Sequence, residues 1–360
     1  MRILVVAVSA RMLAELAVAD GYDVIAFDHF GDVDLRAVAP GSTARSNDAL
    51  AALAADVEAD AVVYGAGFEN RPDLVRRLAF GRELLGTAPE QLTDVRDPWA
   101  VGAAARAAGA RFPETRTSAT SATSATSDGG AWLRKPRQGG GGRGVRAWRG
   151  AALRAGEILQ RCVPGLSCSA VAIGDGHRAA VLGLTEQLHR PRGFGWMGNV
   201  VGPRLPAGEL AVLDGQLRAV CAEVAARFGV RGAFGVDAVW DGHDAWVLEV
   251  NPRPPASLEL FGPGCFEAHV RGARGLDVPS LSPVPAAGVK VVLYADREVR
   301  APDPAWWPEG IVRDIPHAGE EIRRGAPVCT LVSAEADIRS LVERGARLVS
   351  ALPDAVGVRA

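Results

Sequence analysis

Short apolar runs alternate with alanine-rich stretches through the first 85 or so residues, and this alternation constrains the fold more than any other feature. Residues 3–8, 22–27 and 61–64 read as buried strands, and residues 10–19 and 48–55 read as helices. Strands separated by helices need crossover connections, so they belong in a parallel sheet. A glycine-rich dinucleotide fingerprint is missing after the first strand, where Val8-Ser9-Ala10-Arg11 stands. The region is expected to be a structural open sheet forming one wall of a cleft.

The chain of 360 residues is long enough for two or three domains. A hydrophobic content of 48%, a charged content of 23% and a net charge of -2 suit a globular protein and point to neither nucleic acid nor an anionic membrane. No apolar stretch reaches the roughly 18 residues of a membrane span, and the start lacks the pattern of a signal peptide. The five cysteines are scattered, without metal-ligand spacing or a disulfide framework. These features together read as a cytoplasmic protein. Only Lys135 and Lys290 are lysines among 40 basic residues, and asparagine occurs only at 47, 70, 199 and 251. Where these residues persist against the bias towards arginine, chemistry is a reasonable reason.

From residue 131 the pattern changes. A strand at 131–136 ends in Lys135-Pro136 and runs into Gly139-Gly140-Gly141-Gly142-Arg143-Gly144. A loop nearly free of side chains lets backbone N–H groups approach phosphate oxygens, and a lysine adds a point charge. The spacing is not that of a P-loop, and alone it also suits a flexible hairpin. Before it, the Thr/Ser/Ala tract at 117–128 is expected to be a flexible insertion. After it, strands are expected near 167–173 and 179–187, a helix over 209–228 and a hairpin over 233–250. Paired strands with helices to one side suggest an α+β layer. Gln160-Arg161-Cys162-Val163-Pro164-Gly165 reads as a linker from a helix to the next strand, able to offer backbone groups to an adenine edge. A strand near 288–295 opens the last 80 residues, which close on a helix near 337–349.

The hairpin carries the most specific chemistry. Alternation along a strand puts Glu249 and Asn251 on one face. Asp237, on the preceding strand, opposes Glu249 if the turn is Gly242-His243-Asp244 or the five residues 241–245. Three oxygen-bearing side chains in one patch suit Mg²⁺, which prefers oxygen ligands and shares them with substrate phosphates. Pro252 stops the ladder, so Arg253 can turn into the same cleft. The apolar run Trp246-Val247-Leu248 argues against a merely solvated Glu249.

Taken in order, the Lys135 strand with its glycine loop, the Val163-Pro164-Gly165 hinge, Gly235-Val236-Asp237 and Glu249-Val250-Asn251-Pro252-Arg253 resemble the ATP-grasp superfamily over about residues 60–265. The resemblance implies an α/β and α+β architecture: a Rossmann-like N-terminal domain (1–94), an ATP-grasp domain (95–275) and a small β-rich C-terminal region (285–350). It implies ATP between two subdomains, with Lys135, Arg96 and Gly140, Gly141 and Gly142 on the phosphates. Gln160, Arg161, Cys162 and Val163 would face adenine, and Ser167 stands where a ribose-contacting glutamate is usual. Asp237, Glu249 and Asn251 would hold Mg²⁺, with Mn²⁺ as a substitute. The departures are Gln160 in place of an acidic residue and Arg96 in place of a lysine. Gly65-Ala66-Gly67-Phe68-Glu69-Asn70-Arg71-Pro72 and Val289-Lys290-Val291-Val292-Leu293-Tyr294-Ala295 are similar to a subgroup that includes tyramine–glutamate ligases of methanofuran-type biosynthesis, as are Asp314-Ile315-Pro316 and residues 325–330. The tail also resembles half of a biotin-carrier fold, but no lysine follows Lys290, which excludes a lysine-linked swinging arm.

The expected reaction joins a small-molecule carboxylate to an amine through an acyl phosphate, with Lys135 and Arg253 stabilising the phosphoryl group and residues 189–199 as a lid. A homodimer is the expected assembly if the chain is not monomeric. The alternatives are a non-catalytic ATP-binding regulator and a carboxylase or kinase use of the same fold.

Overall fold

The computed structural model describes residues 1–118, 131–278, 288–334 and 337–355. The first strands are β1 (Arg2–Val6), β2 (Asp23–Phe27), β3 (Ala61–Tyr64) and β4 (Glu83–Leu84). They form a parallel sheet in the order β2-β1-β3-β4. β1 and β3 are buried on both faces, which is why they read as continuous apolar runs rather than alternating ones. Helices at Arg11–Ala19, Asn47–Leu53 and Pro72–Leu78 supply crossovers.

A short connection then delivers the chain to the next layer. The helix Pro89–Val95 ends at Arg96, and Asp97 immediately caps the helix Pro98–Ala107 by accepting from the amides of Trp99 and Ala100. Asp followed by Pro is a sequence signal for such a start. Strands β5 (Thr115–Arg116), β6 (Trp132–Pro136), β7 (Arg146–Ala147) and β8 (Glu157–Arg161) form a small antiparallel sheet ordered β5-β8-β6-β7. The expected insertion at 117–128 lies, from residue 119 on, outside the described residues. No helix precedes Gln160, contrary to expectation: Gln160 sits within β8, paired with Thr115 on one side and Leu133 on the other. The physical reason is the ladder: pairing on both sides draws this segment into the sheet, with Ile158 and Leu159 buried.

The largest sheet has eight strands. Its first members are β9 (Leu166–Asp175), β10 (Ala179–His189), β11 (Trp196–Val201), β12 (Arg231–Trp240) and β13 (Ala245–Asn251). From the C-terminal region come β14 (Val289–Tyr294), β16 (Val312–Arg313) and β18 (Pro327–Ser333), while β15 (Val299–Arg300) and β17 (Glu321–Ile322) pair separately. The order is β13-β12-β9-β10-β11-β14-β18-β16. The tail therefore extends the central sheet instead of forming a carrier-like module of its own. Residues 189–199, expected as a lid, comprise the connection 190–195 and the facing ends of β10 and β11, where Leu188 opposes Gly198.

One long helix, Ala207–Phe228, covers a face of this sheet through Leu213, Leu217, Val220, Val224 and Phe228, a helical spacing of apolar residues. Gly229, at φ 64, ends it in the left-handed conformation. The helix Cys265–Ala273 covers another part of the sheet and also packs against the first domain. A buried ionic hub joins all three regions. Arg11 donates to Glu259 at 2.6 Å, to Glu15 at 2.9 Å and to Asp314 at 3.0 Å, and Lys290 pairs with the same Glu259. Lys290, one of the two lysines, thus belongs to this hub and also donates to the Ala256 carbonyl at 3.0 Å.

Candidate active site

β12 and β13 bring the carboxylates together. Asp237 opposes Glu249, and Gly235 opposes Asn251. The turn between the strands differs from both expected lengths. Trp240 pairs with Ala245, leaving a connection of four residues, 241–244, in which the Asp241 carboxylate accepts from the amides of His243 and Asp244 at 2.8 Å. A bulge restores the register: Asp237 pairs with Glu249 but Ala238 pairs with Val247, so Leu248 is the extra residue. Leu248 lines the gap between this sheet and the small one, together with Lys135, Ile158 and Glu249.

The patch is densely connected. Asn251 donates to Asp237 at 2.9 Å, and Gln187, on β10, donates to the other Asp237 oxygen at 2.8 Å. Burial and then the neighbouring Glu249 charge push the Asp237 carboxyl up to about 7. Burial works against the Glu249 charge as well, but Arg96, Lys135 and Arg253 together hold it below the usual carboxylate value. Burial and the facing charge thus favour a proton on Asp237, while the surrounding cations keep Glu249 charged. A divalent cation can replace that proton. The donor set is small: among the described residues no cluster of three or more His, Cys, Asp and Glu side chains forms a metal site. Two carboxylates with an amide suit Mg²⁺, which completes its shell with water and phosphate oxygens. The Asn251 amide oxygen also accepts from Arg96 at 3.2 Å, so it is shared between the guanidinium and the patch.

Lys135 faces this patch from the small sheet. Its ammonium donates to Gln160 at 3.2 Å, and Gln160 in turn donates to Thr115 at 3.2 Å. Burial pulls the ammonium below the usual lysine value, while Glu249 and Asp237 pull the other way. Gln160 thus aims Lys135 with its side chain and keeps its backbone in the β-ladder. In the following linker, the amide of Arg161 is bonded to Glu114 and that of Cys162 to Ala131, both at 2.8 Å. Val163 lies beyond them, and Ser167 pairs with Val239 inside the central sheet.

The glycine loop closes the other side. Gly141 and Gly142 have φ values of 60 and 67. A Cβ on Gly142 would stand 1.8 Å from the Phe194 carbonyl oxygen, so only glycine fits that approach. The Trp196 amide donates to the Gly141 carbonyl at 3.0 Å. Gly140 lies near the Glu69 carboxylate. The two loops, from opposite subdomains, are therefore in direct contact.

Arg96 and Arg253 occupy the centre. Arg96 is buried and donates to the carbonyls of Gly139 and Val250, at 2.7 and 2.8 Å. Arg253 reaches Glu69, of the first domain, at 3.4 Å, and the Glu69 carboxylate also accepts from the Gly67 amide at 2.6 Å. Sequence reasoning assigns Glu69 no role in the site. Its place beside Arg253 depends on a contact across 184 residues, and its sequence signal is its position within the motif at 65–72. The Tyr64 hydroxyl lies within bonding distance of the carbonyls of Thr87 and Pro252, at 2.8 and 3.0 Å, which anchors the same junction.

Residues 95–257 match the ATP-grasp domain family. N5-carboxyaminoimidazole ribonucleotide synthetase from Thermotoga maritima is similar in fold, with a TM-score of 0.68 at 17% identity, covering 98% of each chain. A biotin carboxylase from Campylobacter jejuni superposes with a TM-score of 0.73 at 16% identity, covering 97% of this chain and 91% of the other. Pyruvate carboxylase from Rhizobium etli gives 0.74 at 16% identity over 97% of this chain, which spans only 37% of that enzyme. No curated protein matches the chain in sequence. The family match is confined to residues 95–257, and the likeness to these structures shows an ATP-grasp fold whose N-terminal part is a parallel Rossmann-like sheet.

Proposed function

We propose that the protein is an ATP- and Mg²⁺-dependent ligase that joins a small-molecule carboxylate to an amine, forming ADP and phosphate through an acyl phosphate. The observation that carries this reading is the convergence of Asp237, Glu249 and Asn251 with Lys135 and Arg253 across one cleft, beneath a glycine loop. Mg²⁺ held by Asp237, Glu249 and Asn251 would supply charge neutralisation at the β- and γ-phosphates.

The chain's own groups account for the rest. Lys135 is aimed by Gln160 and sits opposite Glu249, so its ammonium meets charge that moves as the phosphoryl group is transferred. The carboxylate oxygen attacks the γ-phosphorus, the bond to the ADP oxygen breaks, and an acyl phosphate results. The amine then attacks the acyl carbon, loses a proton and expels phosphate. Arg253, in contact with Glu69, is placed to stabilise the oxyanion of that step. Contact between the glycine loop and the loop ahead of Trp196 supports exclusion of water from the acyl phosphate.

On the motifs at 65–72 and 289–295, the proposed setting is small-molecule or cofactor biosynthesis in the cytoplasm, in the neighbourhood of tyramine–glutamate ligases. Among the described residues no helix is long and apolar enough to cross a membrane. The test is hydroxylamine trapping with ATP and a panel of acids. Acids that stimulate ADP release should each yield a hydroxamate. Absence of hydroxamate with every such acid overturns the acyl-phosphate step. Bicarbonate dependence would support carboxylase chemistry, and a stable phosphorylated product would support a kinase.

A further inference from the structure

A primary amine is an ammonium near neutral pH and has no free electron pair. It must lose a proton before it can attack an acyl carbon. Asp237 and Glu249 are turned to the cation, so that proton needs another acceptor.

Glu69 stands where such an acceptor is required. It is 2% exposed and lies on the segment that follows β3, at the carboxyl end of the first sheet. β2 lies on one side of β1 and β3 on the other, so the strand order reverses between β1 and β3. Open sheets bind ligands in the crevice outside such a reversal. The segment is well anchored. Asn47 donates to the Gly67 carbonyl at 3.0 Å, a ring nitrogen of His29 lies 3.0 Å from the Asn47 oxygen, and Phe68 is fully buried. The Gly67 amide donates to the Glu69 Oε2 at 2.6 Å. The other oxygen, Oε1, meets the Arg253 Nε at 3.4 Å, a long contact. A Cβ placed on Gly140 would stand 3.9 Å from the same Oε1. That oxygen therefore lies between Arg253 and the glycine loop. An intermediate whose oxyanion rests on Arg253 sets its acyl carbon, and the amine attacking it, beside Glu69.

Resting on the ligase reading above, we infer that Glu69 is a catalytic residue, the general base that receives the amine. Its carboxylate pairs with the incoming ammonium and takes one proton, and the freed electron pair forms the N–C bond. A second proton leaves the nitrogen as the C–O bond to phosphate breaks, and it departs on the phosphate. Glu69 then gives its own proton to solvent. The structural alternative is a Glu69 that only props Arg253 against the first domain. The two roles differ in what they ask of the amine.

Hydroxylamine separates them. It is a far weaker base than an alkylamine, is neutral at pH 7 and attacks without a proton acceptor. Full-length wild type and Glu69→Gln receive Mg·ATP, the panel of acids and, in parallel, hydroxylamine, methylamine, glycine or tyramine at pH 7, and the products are read by mass. Amide formation by Glu69→Gln should fall at least about a hundredfold, the lower end for loss of a general base, while hydroxamate formation stays within a few-fold of wild type. Glutamine keeps an oxygen for Arg253, and both products need Arg253, so a propping role predicts equal losses. Equal losses, or amide formed at the wild-type rate, overturn the inference. So does a wild type that forms hydroxamate but joins none of the amines. If Glu69→Gln does not fold, Glu69→Asp decides, because a base drawn back by one carbon should slow amide formation more than hydroxamate formation. A wild type that forms no hydroxamate with any acid overturns the ligase reading itself, and the base with it.

Discussion

Asp237 and Glu249 face each other across an antiparallel ladder whose register is reset by one extra residue, Leu248. Burial beside Glu249 pushes Asp237 up to about 7, so below that pH a cation must displace a proton. Mg²⁺ affinity should therefore rise about tenfold per pH unit below 7 and level off above it. The sign for stability is the reverse. A carboxyl raised in the folded state favours folding below its unfolded value, and that contribution is lost as pH rises from about 4 towards 7. Mg²⁺ titrations at pH 6, 7 and 8 check the first statement. Asp237→Asn should abolish the pH dependence along with most of the affinity.

Gly142 and Gly141 separate two kinds of constraint in the glycine loop. A Cβ added at Gly141, at φ 60, would meet nothing within 4 Å, whereas one added at Gly142 would run into the Phe194 carbonyl. Gly141→Ala should cost about 1 kcal/mol of loop conformation. Gly142→Ala should cost more, because the two loops must also part. Mg·ADP affinity measured on the pair should fall clearly further for Gly142→Ala. Equal effects would mean that contact between the loops does not matter.

The ordered motifs and the parallel start of the chain are readable in the sequence because each rests on local periodicity. Strand alternation puts Glu249 and Asn251 on one face, but the expected pairing of Asp237 with Glu249 rests on the turn, and with the turn found it holds only through the bulge. The turn is not readable, since a bulge at Leu248 leaves no mark in composition, and both expected turn lengths assume an uninterrupted ladder. Gln160 reads as the end of a helix because Ala151-Ala152-Leu153-Arg154-Ala155 has good helix formers. Pairing of residue 160 with 115 and 133 overrides that propensity. The roles of Glu69 and Arg96 lie in contacts across 184 and 155 residues, which a single sequence does not display.

Arg11 has Glu15, Glu259 and Asp314 around one buried guanidinium. Arg11→Met leaves the half-buried carboxylates of Glu259 and Asp314 without their main cation. The expected loss is about 3–5 kcal/mol, the cost of breaking a buried ionic network by removing one partner. Denaturant unfolding should show it as a lower midpoint. A loss within about 0.5 kcal/mol, the size of a surface substitution, would contradict the hub as a joint between the three regions.

His269 is held neutral between the Ala233 amide, 2.8 Å from Nδ1, and the Leu85 carbonyl, 3.2 Å from Nε2. Burial lowers its value to about 4. Its unfolded counterpart protonates near 6.5, so stability is fully present above about 6.5 and is lost as pH falls towards 4. Unfolding midpoints measured from pH 7 to pH 4.5 should fall, and the slope should lessen in His269→Gln.

If Glu249 and its neighbours bind a nucleotide through Mg²⁺, removing either the cation or the Glu249 charge must weaken nucleotide binding. Isothermal titration of ADP, with and without Mg²⁺, into wild type and Glu249→Gln measures both. Wild type should bind only when Mg²⁺ is present, and Glu249→Gln should bind at least about a hundredfold more weakly, as expected when a ligand to the shared cation is removed. Binding that ignores Mg²⁺, or a Glu249→Gln protein that binds like wild type, would contradict a nucleotide site built on this carboxylate.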